Sequence, residues 1–126
     1  MSNFKPMRER TLEFGHAVIT EFRRLKPADE AEQILWLELL KTQKAMATNS
    51  AESDGAHSRK DFALKFQISL KESRECFQLL RLLGRICPDR QAQLASLLKE
   101  CDEIIAILVT SLKTAKRRGD QRRGAN

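Results

Sequence analysis

The chain has no tyrosine, one tryptophan, three prolines, five scattered glycines and two histidines. Each shortage narrows the possible chemistry. Helical bundles that hold paired metal ions use inward Glu-x-x-His pairs, and neither His16 nor His57 stands three residues after a Glu. The glycines, at 15, 55, 84, 119 and 124, never cluster into a phosphate-cradling loop. No G-x-S-x-G turn is present, and no cysteine has a histidine near it in sequence. The expectation is a protein without catalytic residues, metal or cofactor. Cys76, Cys87 and Cys101 are odd in number and form no C-x-x-C pair, which argues against a disulfide framework and suits a reducing compartment. Ile104 to Val109 is the longest apolar run, far short of the roughly 20 residues a membrane span needs. The N-terminus lacks the apolar stretch of a signal peptide, so the expected location is cytoplasmic.

Leu, Glu, Lys, Arg and Ala are plentiful instead, a composition that favours helix. The clearest segment runs from Ser58 to Leu83. Ser58 and Asp61 form a helix-start box. Behind it Phe62, Phe66, Ser69, Ser73, Cys76, Leu80 and Leu83 recur at alternating steps of four and three, which only a helix can place on one face. At 100° per residue, Leu64, Ile68, Glu75, Leu79 and Leu82 gather on nearly the opposite side. One helix with two apolar faces implies a partner on each. A second helix, from just after Pro27 to near Ser53, shows the same doubling: Leu35, Leu39, Thr42, Met46 and Asn49 on one stripe, Trp36, Leu40, Ala47 and Ala51 on another.

The first helix spans about Met7 to Leu25, with Phe14, Val18, Phe22 and Leu25 inward, Leu12 and Ile19 broadening that face, and Gly15 marking a close crossing. Lys26-Pro27 ends it. Gly84 closes the third helix, Pro88 opens the fourth, and Leu94, Leu98, Cys101, Ile105, Leu108, Leu112 and Ala115 line the fourth up to fraying near Arg118. Four helices with short turns predict an all-α, up-down-up-down antiparallel four-helix bundle over residues 7–118. A loose arm (1–6) precedes it, and a basic, disordered tail (119–126) follows.

Net charge is +6, yet the stretch from Lys113 onward carries +5 of it. Lys113, Lys116, Arg117, Arg118, Arg122 and Arg123 are the candidate nucleic-acid contacts, able to neutralise phosphates without reading sequence. No aromatic is interleaved to stack on bases. Trp36, Leu40, Leu64, Ile68, Glu75, Leu79 and Leu82 are the candidate oligomer interface, on which Glu75 would need a cation from a neighbouring subunit. Asn49 and Glu52, across the tight turn from Ser58 and Asp61, read as capping and turn closure.

Those motifs also carry a family resemblance. Asn49-Ser-Ala-Glu52, Ser58-Arg-Lys-Asp-Phe62, Leu70-Lys-Glu-Ser-Arg-Glu-Cys76 and Leu79-Leu-Arg-Leu-Leu83 resemble N-x-x-E, S-K-K-D-F, L-K-E-A-R-E-T and W-L-x-L-L. These patterns mark one branch of a bacterial family encoded in intervening sequences of large-subunit ribosomal RNA genes. The resemblance extends over residues 10–117, through Glu103–Leu108 and Lys113–Lys116. It departs at Gln78-Leu79, where the branch has aromatics, and at Ser53, where it has Gly or Ala. The resemblance implies a cytoplasmic four-helix bundle, a ring-like homopentamer and no catalytic residues. Relatives include the accessory variability determinant of diversity-generating retroelements, which binds nucleic acid and a reverse transcriptase. The expected partners are therefore copies of the chain itself, RNA or DNA, and, in an alternative role as accessory subunit, a reverse transcriptase. A third expectation is a purely structural protein.

Overall fold

The computed structural model describes residues 5–124, with side chains as far as Asp120. Four helices follow in order: α1 (Met7–Leu25), α2 (Glu30–Ser53), α3 (Arg59–Ile86) and α4 (Gln91–Gly124), with a single 3-10 turn (Pro88–Arg90) before α4. Neighbours in sequence pack as antiparallel neighbours in space, and α1 closes the bundle against α4. The architecture expected from the spacing is the one found.

Local chemistry sets the helix ends. Asp29 caps α2 by accepting the Glu32 N–H at 2.9 Å, and Ser58 caps α3 by accepting the Asp61 N–H at 3.0 Å. Asp61 reaches back to the His57 N–H rather than to Ser58. Lys26, squeezed by Pro27, takes φ 49° and ends α1. Gly84 does not close α3: the helix runs through it to Ile86, and the Cys87 N–H completes the last turn on Leu83. Nor does α4 stop near Arg118, since its backbone stays helical to Gly124. Within the predicted arm and tail, residues 1–4 and 125–126 lie outside the described residues.

Phe14, Val18, Trp36, Leu39, Met46, Phe66, Leu80, Leu83, Leu94, Ile104 and Leu108 form the dry centre. Small residues let α2 and α3 approach closely. The Ser50 and Ser69 hydroxyls are 2.7 Å apart, Ser69 donates to the Met46 carbonyl, and the Cys101 thiol donates to the Ser73 carbonyl at 3.3 Å. Every polar atom in this ladder has a partner, so burying it costs little.

Trp36 corrects one expectation. It belongs to the core, 1% exposed, with its ring 5.7 Å from that of Phe22. The buried residues of α2 are Glu32, Trp36, Leu39, Thr42, Gln43, Met46, Ser50 and Ser53. Five polar members hide this face from a hydrophobicity pattern.

Candidate functional site

Two kinds of surface stand out, one basic and one apolar. Antiparallel packing brings the start of α1, the α2–α3 turn and the C-terminal part of α4 to one end of the bundle. Arg10 on α1 joins Glu100 and Glu103 on α4, each at 2.7 Å, and α1 begins one turn before Arg10. From there α4 continues past the first turn of α1. On this extension Lys113, Lys116, Arg117 and Arg118 are all exposed. Among the described residues none of the four enters an ion pair within 4.0 Å. Arg122 and Arg123 follow on the same helix, but their side chains lie outside the described residues.

The apolar surface has two parts. Along α3, Leu64 (51% exposed) and Leu82 (44%) stand out in solvent, with Ile68 and Leu79 half-buried between them and Ile86 continuing the line. Glu75 is exposed beside them and, with Lys71, Glu38 and Thr42, lines a groove of about 810 Å³ between α2 and α3. Lys71 and Glu75 form no ion pair with each other among the described residues. Burial and the neighbouring Glu75 push the Glu72 carboxyl above its ordinary range, against the opposing pull of Lys71 and Lys41.

Periodicity alone missed the second part. Leu12 (63% exposed) and Ile19 do not widen the inner face of α1; they stand outside it. With Leu40 and Ala47 of α2 they flank a groove of about 1020 Å³ floored by Gly15 and Phe22. Half-buried Leu40 thus belongs to this groove and not to a face shared with Trp36. The signal was their seven-residue separation, which puts Leu12 and Ile19 together but off the line of Phe14 and Val18. Ile34 and Leu37, exposed on the outside of α2, also escaped the stripes.

The polar cluster at the turn is structural. Asn49 donates to the Ala45 carbonyl, Glu52 pairs with Lys65 at 2.8 Å, and Ser58 caps α3. Burial lifts the Cys87 thiol to about 11, the Cys101 thiol to about 12 and the Cys76 thiol higher still, so none is a ready nucleophile at neutral pH. Among the described residues no three metal-ligating side chains converge, and no helix is long and apolar enough to cross a membrane.

The chain matches no family model and no curated protein. Among solved structures it is similar to a protein of unknown function from the S23 ribosomal protein family of Bacteroides thetaiotaomicron. The TM-score is 0.76 at 26% identity, over 85% of this chain and 98% of that one. The two share a fold. Nearly the whole neighbour is spanned, so the resemblance concerns the bundle itself and not a fragment of it.

Proposed function

We propose that this protein is a non-enzymatic, homo-oligomeric four-helix bundle that binds nucleic acid without sequence preference through the basic end of α4. The observation that carries the reading is the exposed run Lys113, Lys116, Arg117 and Arg118, unpaired among the described residues on a helix that outruns α1. Cations held on a helix meet a phosphate backbone with part of their ordering already complete. The strip of exposed Leu64 and Leu82 with half-buried Ile68 and Leu79 between them supports self-association, since an apolar surface of this kind is costly on a monomer. Several copies would present several basic ends to one strand, and multivalency would raise affinity without any new contact.

Membership in the family of the Bacteroides neighbour is part of the same proposal. It rests on the shared fold together with the motifs from Asn49 to Leu83. The link to intervening-sequence proteins and a pentameric ring follows from that membership.

The test is filter binding of the full chain and a variant with all six cations from Lys113 to Arg123 changed to Gln, across a salt series. The expected result is steep salt dependence that the variant loses. Absence of binding by the unaltered protein at about 50 mM salt would remove the nucleic-acid role.

A further inference from the structure

We infer that the nucleic-acid surface continues from α4 onto the end of the bundle itself, where Arg59 and Lys60 contact backbone phosphates alongside Arg118. This rests on the function proposed above and extends it to residues far away in sequence.

The fold makes the juxtaposition. A depression of about 300 Å³ lies where the start of α3 meets the C-terminal part of α4, lined by Ser58, Arg59 and Phe62 on one side and Ala115 and Arg118 on the other. Two guanidinium-bearing residues therefore border one hollow from two helices. Two cations beside it on α1 and α3 are neutralised: Arg8 lies 2.6 Å from Asp54, and Lys65 lies 2.8 Å from Glu52. Arg59 and Lys60 are exposed and, like Arg118, enter no ion pair among the described residues. The nearest acid in sequence, Asp61, is turned back to the His57 N–H. Positive residues that enter no ion pair leave a local potential that a polyanion relieves.

A phosphodiester backbone is the occupant this surface fits. Phe62, the aromatic in the hollow, is half-buried and lies tilted at 34° against Phe66 with ring centroids 4.4 Å apart, which reduces the area it can offer to a base. A half-buried ring is also a poor apolar wedge for entering a membrane interface. What remains is charge and the Ser58 hydroxyl, which recognise phosphate and ignore base identity. RNA and DNA of equal length are expected to bind alike.

The test uses full-length chains and a fluorescent mixed-sequence oligonucleotide, supplied as RNA and as DNA. The variants are Arg59→Gln/Lys60→Gln, the α4 variant with its six cations changed to Gln, and the two combined. Helix content by circular dichroism confirms that each is folded. Loss of two phosphate contacts should lower affinity about tenfold and reduce the slope of log K against log salt by about two. The charge-conserving Arg59→Lys/Lys60→Arg should restore both, and residual salt-dependent binding by the α4 variant should vanish in the combination. Wild-type affinity and slope in Arg59→Gln/Lys60→Gln would overturn this inference while leaving the α4 reading intact. Failure of the unaltered protein to bind either oligonucleotide would overturn both, as would binding only to anionic phosphatidylserine vesicles.

Discussion

Arg90 donates from Nη1 to Oε1 of Glu32 across 2.6 Å, tying the 3-10 turn before α4 to the first turn of α2. Both side chains are largely out of water. Glu32 also accepts the Ala28 N–H at 2.7 Å, and Arg90 reaches the Lys26 carbonyl at 3.2 Å. One ion pair thereby fixes the α1–α2 connection and the approach to α4 together. Arg90→Met would strand a buried carboxylate, and the expected cost is about 3 kcal/mol in urea unfolding. Glu32→Met/Arg90→Met should recover much of that loss, because an apolar pair leaves no charge unpaired. Additive losses in the double variant would show the two residues acting separately.

Gly15 and Gln43 give a second coupling. A Cβ at position 15 would collide with Nε2 of Gln43, which donates to the Thr11 carbonyl at 3.1 Å across the α1–α2 contact. Alanine is the better helix former by about 1 kcal/mol, so Gly15→Ala would stabilise an open helix. Here it must evict a buried amide from its hydrogen bond. A net loss of about 1–2 kcal/mol is expected. Gly15→Ala/Gln43→Ala should abolish the clash and return part of the helix gain, which thermal unfolding of all three variants would reveal.

Glu72 makes a prediction about pH. Burial and Glu75 raise its folded value above the ordinary 4.5. The folded state therefore holds this proton more tightly than the unfolded chain. Its contribution to stability is fully present below pH 4.5 and is lost as the pH rises through the higher folded value. Glu72→Gln should be more stable than the parent at neutral pH, with the difference shrinking on acidification. Equal stabilities at both ends of the titration would show that the raised value has no energetic consequence.

How far the sequence could be read depends on which helix is considered. On α3 the pattern Phe66, Ser69, Ser73, Cys76, Leu80, Leu83 is the buried face, and Phe62 is half-buried at its start. Small residues kept the right spacing because they face α2 and α4 directly. On α4 the predicted line included Leu98 and Ile105, which are half-buried, while Leu97 and Ile104 are the fully buried residues. A one-residue shift of this kind is invisible when adjacent positions are both aliphatic. On α2 the predicted stripe rightly turned Leu39, Thr42 and Met46 inward but missed buried polar residues, for a different reason. Glu32, Gln43 and Ser50 are buried because Arg90, the Thr11 carbonyl and Ser69 lie opposite them, and those partners come from other helices. The basic cluster on α4 could be read locally, whereas Arg59 entered it only once the turn had been placed beside Arg118.

Trp36 and Leu64 now predict opposite phenotypes, although the sequence put both on one interface. Trp36 fills the core, and its Nε1 donates to no group among the described residues, so its role is volume. Trp36→Ala should cost about 3–5 kcal/mol in unfolding. Leu64 and Leu82 stand in solvent on a single chain, where Leu64→Asp/Leu82→Asp removes little packing. That double variant should keep its helix content and lose its assembly in light scattering. Under multivalent binding, the same loss should weaken oligonucleotide affinity by at least about a hundredfold with every cation untouched. Unchanged mass would place self-association elsewhere on the bundle, and reduced mass with unchanged affinity would separate assembly from nucleic-acid binding.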